Sequence, residues 1–176
     1  LSQKEEILLN TFVSLLKEWN EKINLFAHCT EEVLCIKHIL DSAYGASFID
    51  EKKSLNIMDI GTGGGLPGIV LAIFSPLSHF TLVDSTKKKV DAVRYIVDRL
   101  QLPNVSCSWG RGEIFASDPT FLGQYDMVVA RAFAPLNRLI PAAFPFLKPH
   151  GQIMAYKGPN IAEELRECKD ISLNYK

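Results

Sequence analysis

Five glycines within ten residues make one segment of the chain suited to holding a ligand against bare backbone. Residues 59–68 read DIGTGGGLPG, between an apolar segment of strand length and one of helix length. Glycine loses much conformational freedom on folding, so such a cluster is typical of places where something approaches the main chain closely. The pattern predicts a strand, a glycine turn and a helix whose first N–H groups face a ligand. A tight turn without a ligand is the alternative.

Two aspartates at the ends of the first two predicted strands help to separate the possible ligands. Residues 63–68 match G-x-G-x-x-G, a pattern that nicotinamide and S-adenosylmethionine (SAM) proteins share. Asp84 could accept hydrogen bonds from a ribose, or it could cap the helix that begins at Thr86. A carboxylate at Asp59 repels a pyrophosphate but attracts the ammonium and sulfonium groups of SAM. The sequence therefore favours SAM, with a turn or helix-capping role as the alternative for Asp59.

The chain beyond residue 55 alternates between segments with the pattern of strands and segments with the pattern of helices. This alternation predicts an α/β fold with a mostly parallel, Rossmann-like sheet and helices on both of its faces. Because such sheets bind ligands at the carboxyl ends of their strands, we expect both aspartates at one edge. The strands are predicted at 55–60, 79–84, 105–109, 125–131 and 151–156, and the helices at 67–74, 86–100 and 135–147, with Pro141 and Pro145 interrupting the last helix.

Residues 1–50 are predicted to form an N-terminal helical extension. Residues 2–5 have the form of a capping box, and apolar residues then recur at helical spacing. A second helix is predicted from Thr30 to about Asp41. We expect one structural domain, in which this extension joins a SAM-binding core over residues 51–176. Since open sheets of this kind usually continue, the chain is expected to lack C-terminal strands.

Composition and charge limit the class of protein. The 176 residues are 47% hydrophobic and 22% charged, with no apolar stretch of membrane-span length, which is ordinary for a globular protein. The four cysteines form no CxxC pair, and the N-terminus lacks the pattern of a signal peptide, so we expect a cytoplasmic protein without zinc or disulfides. Residues 1–50 carry a net charge of −4 and residues 51–160 one of +4, which permits an anionic substrate such as RNA.

Seven short segments resemble, in the same order, those of the RsmG (GidB) family of bacterial methyltransferases. They are EWNEKINL (18–25), KHILDS (37–42), DIGTGGGLPGI (59–69), FTLVDSTKKKV (80–90), GRGE (110–113), VVARAFAPL (128–136) and YKG (156–158). The glycine segment alone is moderately specific, whereas its combination with HILDS and ARAFAPL is highly specific. The resemblance implies a class I SAM-dependent methyltransferase that modifies guanine N7 in 16S ribosomal RNA of the small subunit.

The resemblance also implies which residues hold the cofactor. Carried over by position, the SAM site comprises Gly61, Leu66, Gly112, Glu113 and Arg131, with Asp84 and Ser85 at the ribose. The pattern of residues adds Asp59 and Gly63. The family usually has a small residue other than glycine at position 112, so a contact there is expected through the backbone. Exposed-surface roles are the alternatives for Glu113 and Arg131.

Four side chains are candidates for contacts with the RNA: His38, Lys87, Lys88 and Lys157. Lysines at the start of a helix oppose its dipole, so an RNA phosphate would be favourable there, with a solvated lysine run as the alternative. Arg131 or Lys157 could donate to guanine O6, and Arg131 could instead hold the SAM carboxylate. A histidine buried among the N-terminal helices is the alternative for His38.

Guanine N7 carries a lone pair and no proton at neutral pH. It can therefore attack the sulfonium methyl group in line, and no general base is required. Two other functions stay open: an NAD(P)-dependent oxidoreductase, which Asp59 disfavours, and a non-catalytic SAM-binding factor in ribosome assembly. We expect a monomer that binds 16S rRNA or the small subunit, with no membrane and no metal ion as a partner.

Overall fold

Five strands form a parallel sheet in the order β3-β2-β1-β4-β5. The computed structural model describes residues 1–27 and 29–168. The strands are β1 (Asn56–Ile60), β2 (His79–Asp84), β3 (Val105–Trp109), β4 (Tyr125–Arg131) and β5 (Leu147–Tyr156). The predicted α/β fold is confirmed, and the first four strands lie within one residue of their predicted bounds.

Strand β5 begins four residues before its predicted start. The irregular residues form a kink within the strand and not a turn in front of it. The sequence PHG at residues 149–151 is typical of a turn, but His150 adopts a φ of 66° inside the strand. Leu147 already pairs with Tyr125, and the register with β4 then shifts before Met127. The strand therefore absorbs the irregular residues as a bulge.

Helices and turns occupy the segments between the strands. The α-helices are α1 (Gln3–Lys22), α2 (Glu31–Val33), α3 (Asp41–Tyr44), α4 (Gly68–Phe74), α5 (Lys87–Leu100), α6 (Gly112–Phe115), α7 (Leu136–Ala143) and α8 (Ile161–Glu167). A π-helical segment (Leu34–Leu40) joins α2 to α3, and 3-10 turns follow α3 (Gly45–Phe48) and α7 (Phe144–Phe146). Helix α7 continues past Pro141, so the predicted interruption at that residue is wrong, while Pro145 lies in the turn that ends the helix.

Helix α1 begins with the predicted capping box. The backbone N–H of Glu5 donates to Ser2 Oγ at 3.3 Å, and the backbone N–H of Ser2 donates to Glu5 Oε2 at 2.6 Å. The helix then buries Phe12 and Leu16 completely, in the same apolar cluster as Ile57 of β1. Helix α1 thus packs on α4 and α5, which cover one face of the sheet.

The central strand sends alternate side chains to two different apolar clusters. Ile57 points to the cluster with α1, α4 and α5, whereas Met58 and Ile60 point to the cluster with Leu139 of α7. This alternation places helices on both faces, as predicted. Because both faces are covered, the ligand-accessible part of the sheet is the edge formed by the strand ends.

Within residues 1–27 and 29–168, no helix is both long enough and apolar enough to span a membrane.

Gly68 lets helix α4 lie against β1 and β2, and this close packing is testable. A Cβ at Gly68 would lie 2.7 Å from Asp59 Oδ2 and would collide with the side chain of Leu82. Both neighbours are buried, so we predict that Gly68→Ala lowers the free energy of unfolding in urea by about 1–3 kcal/mol. Gly112→Ala is the control, because a Cβ there meets no described atom within 4 Å. An equal effect of the two substitutions would contradict this account of the packing.

Candidate functional site

The glycine segment forms the turn between β1 and α4, and positive φ angles give that turn its shape. Gly61, Gly63 and Gly65 have φ values of 72°, 57° and 87°, in a region that side-chain-bearing residues rarely adopt. The predicted sequence of strand, glycine turn and helix is confirmed, although α4 begins at Gly68, one residue later than predicted. The turn presents backbone to the carboxyl edge of the sheet.

Asp59 supports this turn from inside the protein. Its Oδ2 accepts hydrogen bonds from Thr62 Oγ1 at 2.7 Å and from the backbone N–H of Gly68 at 2.9 Å. The side chain has no exposed surface, and among the described residues its Oδ1 has no hydrogen-bond partner. This is the turn and helix-capping arrangement that the sequence left open. Asp59 can act on a ligand through its charge, but this geometry gives no support to direct contact.

Burial raises the pKa of Asp59 to about 6, although its hydrogen bonds and the positive charge of Arg131 oppose this shift. Arg131 is itself partly buried, and burial lowers its pKa against the favourable charges of Asp41 and Asp59. Its Nη1 donates to the backbone oxygen of Lys37 at 3.4 Å. The end of β4 therefore carries the positive charge of Arg131, which the carboxylates of Asp41 in the extension and Asp59 in β1 stabilise.

Because the pKa of Asp59 is raised, the stability of the protein should depend on pH. A carboxyl group whose pKa is raised by folding stabilises the folded protein most when it is protonated. Its contribution to the free energy of unfolding falls as the pH rises from about 4, the pKa in the unfolded chain, to about 6, the pKa in the folded protein. Asparagine retains an oxygen that can accept from Thr62 and Gly68. We predict that the free energy of unfolding of Asp59→Asn, relative to wild type, rises by about 1–3 kcal/mol between pH 4 and pH 7. Urea unfolding across this range measures it, and a difference independent of pH would contradict the prediction.

Asp84 braces the glycine turn from the second strand. Its Oδ2 accepts from the backbone N–H of Gly63 at 3.0 Å, and its Oδ1 accepts from that of Thr86 at 2.8 Å. The bond to Thr86 forms a turn just before α5, a helix that begins without a side-chain cap. Each carboxylate oxygen can accept a second hydrogen bond, so the same side chain can also bind a ribose.

A cavity of about 1070 Å³ lies at the carboxyl edge of the sheet, where parallel sheets bind ligands. The ends of β1, β2, β4 and β5, the segment after β3 and two parts of the N-terminal extension contribute to its walls. Ten of the predicted site residues line it: His38, Gly61, Gly63, Leu66, Asp84, Ser85, Gly112, Glu113, Arg131 and Lys157. The fold therefore brings together residues that are up to 119 positions apart in the sequence.

Lys87 and Lys88 lie on the surface outside the lining of this cavity. The ammonium of Lys87 lies 5.7 Å from the centre of the Trp109 ring. Lys89 lines the cavity instead, because α5 turns only one of the three consecutive lysines towards it. Contacts of Lys87 and Lys88 with RNA stay a prediction.

His38 reaches the cavity from the π-helical segment Leu34–Leu40. Single π turns inside helices are frequent at functional sites. Burial, and then the positive charge of Arg131, lowers the pKa of His38, so its imidazole is neutral at pH 7. Its Nδ1 is buried without a hydrogen-bond partner in the described part of the chain. His38 thus brings a neutral imidazole to the wall of the cavity, while its Nδ1 stays buried.

Lys157 is tied to its neighbours by an ion pair. Its Nζ lies 2.6 Å from Glu164 Oε2 and donates to the backbone oxygen of Ala134 at 2.9 Å, and the side chain is only 15% exposed. The same Glu164 oxygen accepts from the backbone N–H of Leu136 at 2.8 Å. This arrangement joins β5, the segment after β4 and α8, and it competes with the predicted contact between Lys157 and RNA.

Sequence reasoning did not single out Asp41, Phe133 and Tyr156, which also line the cavity. Tyr156 ends β5, and Phe133 follows β4 by two residues, so the rule that ligands bind at the carboxyl ends of parallel strands could have identified both. Asp41 gives no comparable signal, because it lies outside the sheet. Within the described residues, no group of three or more His, Cys, Asp or Glu side chains could hold a metal ion.

Solved structures with the same architecture place the fold in a class. An O-methyltransferase from Bacillus cereus in complex with SAH has a TM-score of 0.66 at 16% identity, covering 93% of this chain and 79% of that one. The [4+2]-cyclase SpnF has a TM-score of 0.52 at 17% identity, covering 71% and 55%, so the fold alone does not determine the reaction. The fold is that of the Rossmann-like class I methyltransferases.

The chain belongs to the rRNA small subunit methyltransferase G (GidB) family, whose model matches residues 5–174. It is 37% identical to the ribosomal RNA small subunit methyltransferase G of Alkaliphilus metalliredigens over 169 residues, 96% of this chain and 70% of the relative. That of Clostridium novyi is 38% identical over 90% of this chain and 65% of the relative. The resemblance found in the short segments is thereby confirmed.

Proposed function

We propose that this chain transfers a methyl group from SAM to guanine N7 in 16S ribosomal RNA of the small subunit. The observation that carries the proposal is the cavity in which a positive-φ glycine turn lies beside the carboxylates of Asp84 and Glu113. These carboxylates suit the hydroxyl and amine donors of SAM, and the carboxylate of Asp59 beneath the turn disfavours the pyrophosphate of a dinucleotide. Membership of the rRNA small subunit methyltransferase G family supports the RNA substrate.

The order of the strands suggests how SAM lies across the site. The neighbouring ends of β3, β2, β1 and β4 carry the four groups of contacts in sequence. Gly112 and Glu113 would hold the adenine, Asp84 and Ser85 the ribose, Gly61, Gly63 and Leu66 the methionine part, and Arg131 its carboxylate. The sulfonium that carries the methyl group, between the ribose and the methionine part, would then lie near Gly61, between the ends of β2 and β4.

Arg131 suits the SAM carboxylate better than the guanine. Its guanidinium can hold a carboxylate with two parallel hydrogen bonds. At the guanine it would stand near a base that becomes positively charged, which is unfavourable. His38 is the better candidate for guanine O6, because its neutral imidazole can donate one hydrogen bond without adding charge.

The proposed reaction needs no proton transfer. The lone pair of N7 forms a bond to the methyl carbon while the bond from that carbon to sulfur breaks and its electron pair goes to sulfur. The products are a cationic 7-methylguanine and neutral S-adenosylhomocysteine. The protein contributes by holding the two reactants in line and by excluding water from the cavity.

The other parts of the proposal concern partners. The small ribosomal subunit or its 16S rRNA is the partner, with Lys87 and Lys88 as exposed candidates for phosphate contacts. A monomer in the cytoplasm accords with this substrate. An NAD(P)-dependent oxidoreductase is disfavoured by the carboxylate of Asp59 beneath the glycine turn. A non-catalytic assembly factor would bind SAM without transferring its methyl group.

Asp84 gives a test of the cofactor site. We predict that Asp84→Ala weakens SAM binding by about 1.5–3 kcal/mol in calorimetry, because it removes charged acceptors from the ribose and frees the N–H of Gly63. Asp91→Ala, which changes an exposed aspartate of α5 outside the cavity, is the matched control. A loss below about 0.5 kcal/mol for Asp84→Ala would show that the ribose lies elsewhere.

The reaction is tested with small ribosomal subunits from cells that lack this protein. Incubation with methyl-labelled SAM should incorporate label into 16S rRNA, and mapping should place it as 7-methylguanine. SAM binding without incorporation would favour the assembly factor. Binding of NAD in place of SAM would favour the oxidoreductase.

A further inference from the structure

We propose that Phe133 is the surface on which the acceptor base stacks during methyl transfer. The inference rests on the proposed function, since it names the residue that would receive the base. Phe133 lines the cavity, and 40% of its surface is exposed. A large, partly exposed apolar side chain in the wall of a ligand cavity indicates a surface that is covered when a ligand binds.

The backbone directs the Phe133 ring towards the centre of the site. Ala132 has a φ of 53°, which is uncommon for a residue with a side chain and marks a sharp change of direction after β4. As a result the ring lies over Gly61, where a Cβ would be 2.6 Å from Phe133 Cδ2. The glycine therefore provides room for the ring as well as for the turn.

Contacts on both sides fix the segment that carries the ring. Before it, Arg131 pairs with Tyr156 in the sheet. After it, Lys157 Nζ holds the oxygen of Ala134, and Glu164 holds the N–H of Leu136. The ion pair of Lys157 and Glu164 thus acts as a positioning device, and an aromatic platform held in this way loses little entropy when a base stacks on it.

The position of Phe133 in the strand order separates it from the adenine and the ribose of the cofactor. The adenine and ribose contacts lie at the ends of β3 and β2, and Phe133 lies beyond β1, after β4. The ring covers Gly61, near which the sulfonium and its methyl group would lie. A base entering from solvent meets the exposed face of the ring there.

An aromatic face also suits the chemistry at N7. As the bond to the methyl carbon forms, positive charge moves from the sulfonium to the guanine ring system. The negative face of a phenyl ring attracts that charge, so the stacking interaction strengthens in the transition state. Removing the ring should therefore lower the rate of the chemical step in addition to weakening RNA binding.

The test compares Phe133→Leu and Phe133→Tyr with wild type, and uses Phe48→Leu as the matched control. Phe48 is an exposed phenylalanine, 61% accessible, that packs on Tyr44 and does not line the cavity. Two quantities are measured for each protein: the SAM dissociation constant by calorimetry, and single-turnover methylation of undermethylated small subunits at saturating SAM.

We expect Phe133→Leu to lower single-turnover methylation about 10- to 100-fold, while Phe133→Tyr and Phe48→Leu stay within about threefold of wild type. The SAM dissociation constant should change less than threefold in all three variants, which also shows that they fold. Undiminished methylation by Phe133→Leu, or a tyrosine variant as slow as the leucine one, overturns the stacking role. A large loss of SAM affinity in Phe133→Leu overturns it as well, by placing the ring on the cofactor. If wild type itself transfers no methyl group, the proposed function fails, and this inference fails with it.

Discussion

The turn between β1 and α4 is the constraint on which the rest of the site depends. Three glycines with positive φ let the chain reverse direction close to the strand ends. Asp59 holds the turn from the buried side and Asp84 from the cavity side, through hydrogen bonds to Gly68 and Gly63. Asp59 is the second-last residue of β1 and Asp84 the last residue of β2, so the pairing of these parallel strands sets the distance between them. The sheet therefore determines the shape of the cavity through this one turn.

The N-terminal extension completes the site that the sheet begins. Its π-helical segment carries His38 into the cavity, and the oxygen of Lys37 accepts from Arg131 at the end of β4. Tyr156 at the end of β5 donates its hydroxyl to the oxygen of Ser42 at 2.9 Å. Gly45 allows this approach, because a Cβ there would collide with the Tyr156 hydroxyl. The extension is thus fastened to the ends of β4 and β5, beside the place proposed for the acceptor base.

Much of this arrangement could be predicted from the sequence because it depends on local patterns. Apolar segments of strand length located the first four strands, and the rule for parallel sheets brought ten predicted residues to one edge. Features that depend on packing could not be predicted. The kink at His150 resembles a turn, and the burial of Asp59 follows from the helix that covers β1. The pairing of Lys157 with Glu164 depends on where α8 packs. No local sequence pattern predicts that position.

The central claim is that SAM lies across the strand ends with its methyl group towards β4, and a crystal structure of the protein with S-adenosylhomocysteine tests it most directly. The account predicts that the ribose hydroxyls donate to Asp84, that the adenine lies against Gly112 and Glu113, and that the sulfur lies near Gly61 on the side of Phe133. A cofactor bound in the opposite direction, or outside the cavity at the carboxyl edge of the sheet, would contradict it.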